Sequence, residues 1–237
     1  MNKQTFLTLL ATFALLFSFT FSCHAKGKDK AKHVVFIGLD GWGAYSLPKA
    51  DMPNVKKLME DGAYTLKKRS ALPSSSAINW ASMFMGAGPE LHGYTEWGSK
   101  TPELPSRVLN KNGIFPTVFQ LLRDARPEAE IGCLYEWEGI KYLVDTLSLS
   151  YHYHVADCNK TPKELGNMAS SYIKEKHPAL VAICYDGPDH TGHTAGHDTP
   201  EYYEKLKELD MYVGQIVQAV KDAGMLDDTI FILTSDH

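Results

Sequence analysis

Apolar and polar positions alternate through the chain in two periods, and the order of those periods defines the architecture. Residues 33–39 carry the run Val34-Val35-Phe36-Ile37 and predict a buried strand. Residues 53–61 then place Val55, Leu58 and Met59 on one helical face, with Pro53 at the start and Gly62 as a stop. The same grammar predicts a helix over 114–125, a strand over 130–135 and a helix from 162 to about 177. The last of these is preceded by Thr161-Pro162-Lys163-Glu164, a capping box with proline at the first helical position. A strand over 179–185 follows. The longest periodic segment begins at Thr199-Pro200, puts Leu206, Leu209, Val213, Ile216, Val217 and Val220 on one stripe, and closes at Gly224. Ile230-Phe231-Ile232-Leu233 predicts a final buried parallel strand, and His152-Tyr153-His154 a weaker edge strand. Alternating strands and helices predict an α/β protein, a three-layer α/β/α sandwich with a mostly parallel central sheet.

Composition sets the address. Lys3, an uncharged apolar stretch over residues 6–21, and Ser22, Cys23 and Ala25 have the layout of a secretory signal over residues 1–25. Two processing routes compete, cleavage after Ala25 or lipid attachment at Cys23, and either predicts an exported protein, periplasmic or secreted. Residues 26–32 form a basic linker, and residues 33–237 a single domain. Removing residues 1–25 takes away Lys3 and no acid, so the formal charge moves from −4 to −5. That acidity argues against a nucleic-acid polymer as partner. Cys133 and Cys184 lie in strand-like runs and Cys158 near a turn, which predicts buried thiols, with a Cys133–Cys158 bridge as the alternative.

Four clusters carry chemistry. Asp40 follows the first strand and precedes Gly41-Trp42-Gly43. Ser74-Ser75-Ser76 opens a helix-like stretch running to Met85, where backbone N–H groups favour an attacking oxygen and the phosphate it meets. Asp189 and His193 follow the strand over 179–185 within a segment that also holds Asp186, His190 and His197, and their D-x-x-x-H spacing suits one zinc ion. Asp236 and His237 follow the last strand. Open α/β sheets gather ligands at the carboxyl ends of their strands, so these clusters are expected to converge in one crevice. A turn aspartate, an N-cap serine and solvated histidines are the bland alternatives for each cluster taken singly.

Four ordered motifs resemble the alkaline phosphatase superfamily, and within it the type I phosphodiesterase/nucleotide pyrophosphatase branch. They are V-V-F-I-G-L-D-G-W over 34–42, G-P-E-L-H-G over 88–93, P-D-x-x-G-H over 188–193 and T-S-D-H over 234–237. The resemblance implies an alkaline phosphatase-like fold, incomplete at the C-terminus, and two divalent metal ions, usually zinc. Asp40, Ser76, Asp236 and His237 would hold one ion, and Asp189 and His193 would begin the other. The family places its nucleophile three residues before an asparagine and sixteen before the histidine of the H-G pair, so Asn79 and His92 both indicate Ser76, with Ser75 as the fallback. Asn79 is carried over as a substrate-binding candidate.

The resemblance also implies hydrolysis of a small phosphate ester, a nucleotide among the candidates, through a phosphoseryl intermediate. Two departures matter. The nucleophile is serine where the family commonly has threonine, and the asparagine that relatives use to hold a substrate oxygen falls at Trp97. A phosphomonoesterase therefore stays open beside the diesterase, as does a non-catalytic exported metal-binding module. A sulfatase is disfavoured, because residues 74–79 lack its arginine-bearing signature.

Overall fold

The computed structural model describes residues 31–156 and 161–237. The signal, most of the basic linker and Cys158 lie outside them. Five strands form one sheet in the order β3-β2-β4-β1-β5, with β1 His33–Leu39, β2 Ile131–Tyr135, β3 Tyr151–His154, β4 Leu180–Tyr185 and β5 Thr229–Thr234. Every neighbouring pair is parallel. The chain matches the expected α/β sandwich, with seven α-helical segments among the described residues: α1 Pro53–Asp61, α2 Ser76–Met85, α3 Pro89–His92, α4 Val118–Ala125, α5 Lys163–Lys176, α6 Gly187–Ala195 and α7 Pro200–Asp222.

A strand sends successive side chains to opposite faces, so a strand covered on both sides must be apolar throughout. In β4, Val181, Ile183 and Tyr185 join the core beneath α5 and α7, while Leu180, Ala182 and Cys184 join the core beneath α2 and α4. β1 divides the same way, Val35, Ile37 and Leu39 to one side and Val34 and Phe36 to the other. The stripe on α7 seats Leu206, Leu209, Val213, Ile216 and Val220 with no exposure at all. Each such side chain contributes roughly 1.5–3 kcal/mol of burial.

Three expectations are corrected. β5 is parallel but lies at the sheet edge: Phe231 and Leu233 pack into the α5/α7 core, while Ile230 and Ile232 are 50% and 42% exposed on the other face. The helix expected over 114–125 begins only at Val118. Thr117 is its N-cap, accepting from Gln120 N at 3.2 Å, and Pro116 before it holds the chain out of the helical register. At α5 the N-cap is Pro162, and Glu164 accepts from the Tyr153 hydroxyl instead of closing a capping box. Cys133 and Cys184 are buried free thiols.

Candidate active site

The carboxyl ends of β4, β1 and β5 lie side by side, and each delivers acids to the same place. Asp40 N donates to Tyr185 O at 2.8 Å, which carries the β1–β4 pairing one residue beyond the strand and buries the Asp40 side chain. The chain then turns through Gly41 at φ +63°. A Cβ there would stand 2.8 Å from Asp189, so glycine is required both by the backbone and by the approach of α6. The turn is fastened to β5: Gly41 N donates to Asp236 Oδ1 at 3.1 Å and Trp42 N to Ser235 Oγ at 2.9 Å. Tyr202 on α7 adds a second clasp, its hydroxyl donating to Gly41 O at 2.8 Å and accepting from Gly43 N at 3.1 Å.

Ser76 is the first residue of α2 and Ser75 its N-cap. The Ser76 hydroxyl donates to Asp40 Oδ1 at 3.4 Å and lies 3.4 Å from His237 Nε2. Its neighbours are engaged differently. Ser74 Oγ accepts from Ser70 Oγ, and Ser75 O receives both the backbone and the side-chain N–H of Asn79 at 3.0 Å. Asn79 is buried, and its Oδ1 accepts from Ala71 N at 2.7 Å, so its amide braces the loop that presents the serines. Trp97 O accepts from Ala77 N at 3.2 Å beside the nucleophile candidate, and the Trp97 side chain is 69% exposed.

Asp189 and His193 occupy successive turns of α6, with His193 Nε2 3.4 Å from Asp189 Oδ2. The other Asp189 oxygen lies 3.9 Å from His237 Nε2, which is itself 3.4 Å from Asp40 Oδ1 and 3.5 Å from Asp236 Oδ2. The structure therefore brings Asp40, Ser76, Asp189, Asp236 and His237 together, and joins His193 to them through Asp189. His197 is turned away to the Tyr45 hydroxyl, 3.2 Å from its Nδ1.

Burial dominates the electrostatics. The Asp40 carboxyl is pushed well above its ordinary range by desolvation and then by Asp236, against the Trp80 hydrogen bond that favours the charged form. Asp236 is raised by burial, and Asp186 by burial and by Asp189. Glu136, after β2, is raised by burial to about 7 while accepting from Asp186 N at 2.7 Å. Lys68 donates to the carbonyl oxygens of Ser235 and Asp236, and burial lowers its own pKa.

The comparisons decide the family. The model of the type I phosphodiesterase / nucleotide pyrophosphatase family matches residues 34–237. The chain belongs to that family. It is 26% identical over 220 residues to bis(5'-adenosyl)-triphosphatase enpp4 of Mus musculus, covering 88% of this chain and 47% of that protein. It is 24% identical over 213 residues to ectonucleotide pyrophosphatase/phosphodiesterase family member 1 of the same species, covering 86% of this chain and 23% of that protein. Among solved structures, murine ectonucleotide pyrophosphatase/phosphodiesterase 5, an inactive variant in complex with AMP, superposes with a TM-score of 0.67 at 18% identity. The match covers 87% of this chain and 57% of that one. That likeness shows the alkaline phosphatase-like fold. The chain spans about half the length of the enpp4 relative.

Metal dependence is general in this family, and the residues present fit a divalent cation. Ligand atoms of Asp40, Asp189 and His237 all lie within 4.8 Å of one another. Asp236 Oδ2 is buried without a hydrogen-bond partner, a costly state for a carboxylate oxygen unless a cation completes it. Carboxylates with an imidazole are an ordinary zinc donor set.

Sequence reasoning missed three participants and the hydrogen-bonding role of a fourth, Trp80. Trp80 Nε1 donates to Asp40 Oδ2 at 2.7 Å, Gly38 makes room for that indole, Lys68 straps the end of β5, and Glu136 supports Asp186. Only Gly38 left a signal, as a glycine inside an otherwise bulky apolar strand.

Proposed function

We propose that this protein is an exported, metal-dependent phosphoester hydrolase of the phosphodiesterase/nucleotide pyrophosphatase type, with Ser76 as nucleophile and two divalent ions, zinc first among them, as cofactors. Its substrate is a small phosphate ester with a nucleotide as the leading class. The observation that carries this reading is the placement of Ser76 Oγ 3.4 Å from both Asp40 Oδ1 and His237 Nε2 at the opening of a ten-residue helix. The export component rests on the apolar stretch over residues 6–21; among the described residues no helix is long and apolar enough to cross a membrane.

Asp40, Asp236 and His237 would hold one ion beside Ser76, and Asp189 and His193 would contribute to the second. When bound, such ions supply Lewis-acid chemistry, lowering the pKa of nearby oxygens and neutralising charge on the phosphoryl group. The chain's own residues do the rest. The Ser76 hydroxyl proton is directed at Asp40 Oδ1, which leaves an oxygen lone pair for phosphorus. The positive end of α2 faces the phosphoryl oxygens. Attack forms the Ser76 Oγ–P bond and breaks the bond from phosphorus to the leaving oxygen; the hydroxyl proton passes to Asp40 Oδ1 and on to the leaving oxygen, which departs as an alcohol or phosphate. Water then adds its OH to phosphorus and its proton to Ser76 Oγ, breaking the Oγ–P bond and releasing the phosphate product.

The test is turnover of an aryl phosphodiester and its matching monoester, with zinc supplied, by the protein and by Ser76→Ala. The reading predicts faster diester hydrolysis and its loss in the variant. A monoester preference of tenfold or more in kcat/KM would move the assignment to a phosphatase, and near-normal activity of Ser76→Ala would end the nucleophile assignment.

A further inference from the structure

Asp40 is gripped at both oxygens by one face of one helix. Ser76 and Trp80 are four residues apart on α2 and so share a face. Ser76 Oγ lies at Asp40 Oδ1, 3.4 Å away, and Trp80 Nε1 donates to Asp40 Oδ2 at 2.7 Å. The indole is 1% exposed and the carboxylate 2%. No bulk water competes for this hydrogen bond.

The indole is itself held from three sides. Phe84, a further turn along α2, stacks on it with centroids 5.7 Å apart, and Phe36 of β1 meets it edge-on at 6.4 Å. Beneath it lies Gly38. A Cβ on Gly38 would stand 2.2 Å from Trp80 Cη2 and 2.7 Å from Cζ3, inside the ring's own volume. The strand therefore carries no side chain two residues before Asp40, at the place where the ring approaches it, and the indole N–H reaches the carboxylate. A core tryptophan filling space has no need of that groove in the strand that carries its own hydrogen-bond partner.

From this geometry we propose that Trp80 is a positioning residue that fixes the Asp40 carboxylate, occupying Oδ2 so that Oδ1 alone is turned to the divalent ion and to Ser76. The proposal rests on the metal reading above and goes beyond it in assigning a role to Trp80 and Gly38. An indole N–H suits the task because it donates and never accepts, and carries no charge to compete with the cation. Hydrogen bonds to a metal-ligating carboxylate orient it, and their loss typically costs about 10–100-fold in metal affinity.

The experiment replaces Trp80 with 3-benzothienylalanine, in which sulfur stands where the indole has N–H, and separately with phenylalanine, in the whole protein. Zinc affinity is read by competition with a chromogenic chelator, and folding by circular dichroism and thermal melting without metal. The expected result is a folded benzothienyl variant whose tighter zinc site is weakened about 10–100-fold, with Trp80→Phe and Gly38→Ala weakened in the same direction. In the metal-free protein, the indole proton signal that Trp80→Phe removes should be the slowly exchanging one. A folded benzothienyl variant with unchanged zinc affinity overturns the proposal and leaves the metal reading intact. Failure of the unmodified protein to bind any divalent ion overturns both.

Discussion

Asp210 and Asp236 are the same residue type at nearly the same burial, 2% and 0% exposed, yet they are furnished in opposite ways. Asp210, on α7, faces the first turn of α1. It accepts from Asn54 N at 3.1 Å, Asn54 Nδ2 at 2.8 Å and Val55 N at 2.8 Å, satisfying donors that a helix start leaves open. Asp236 accepts from Gly41 N through Oδ1, has Oδ2 buried with no hydrogen-bond partner, and stands close enough to Asp40 to raise that neighbour's pKa. A structural carboxylate uses up its acceptor capacity on the fold. On the metal reading proposed above, Asp236 would hold that capacity in reserve for a cation, at a cost to the metal-free protein.

The sharpest way to break this contrast is kinetic. Ser76→Ala should lower kcat/KM on an aryl phosphodiester by roughly a thousandfold or more, while shifting stability by no more than about 0.5 kcal/mol, since Ser75 and not Ser76 is the N-cap. Asp210→Ala should do the reverse. It should cost about 2–3 kcal/mol in urea unfolding by stranding buried N–H donors, and leave zinc affinity unchanged.

A third effect is pH-dependent. Glu136 is raised by burial to about 7 from an ordinary value of 4.5, and Asp40 and Asp236 are raised as well. With a folded pKa above the unfolded one, the native state binds more protons across that window, so stability falls as pH rises through it. Metal-free protein should therefore gain stability as pH falls from about 8 toward 5, and Glu136→Gln should flatten the profile between its two pKa values. An unchanged profile would remove Glu136 from the account. The smallest effect is Ser74→Ala: its hydroxyl bonds with Ser70 at the surface, and stability should move by less than about 0.5 kcal/mol with activity retained.

The sequence disclosed what local pattern controls. β1 and α1 occupy the expected residues because their apolar spacing is decided within the segment, and the serine run opens α2 where expected although the Ser75 side chain makes no cap hydrogen bond. Which face of β5 stays uncovered was hidden, because four apolar residues in a row do not say which of them meets a covering layer. The late start of α4 was written in Pro116-Thr117 and overridden by the apolar residues before it. At the site, the acids were legible by their places after strands, but their supports were not. Trp80 lies 40 residues from Asp40, and Lys68 168 residues from Asp236. Such pairs exist only once the sheet order is known.

The central claim is that the unfilled capacity of Asp236 and its neighbours is for a divalent cation. Thermal melting of the protein and of Asp236→Asn, each with and without zinc, tests it most directly. An asparagine carbonyl can still accept from Gly41 N, and its NH2 replaces the unpartnered oxygen and removes one buried charge. The account predicts that the variant melts above the unmodified protein when both are metal-free. It also predicts that zinc at a hundred times its Kd stabilises the unmodified protein by about 2.7 kcal/mol and the variant by far less. A variant destabilised in the manner of Asp210→Ala, with zinc leaving the unmodified protein's melting unchanged, would contradict it.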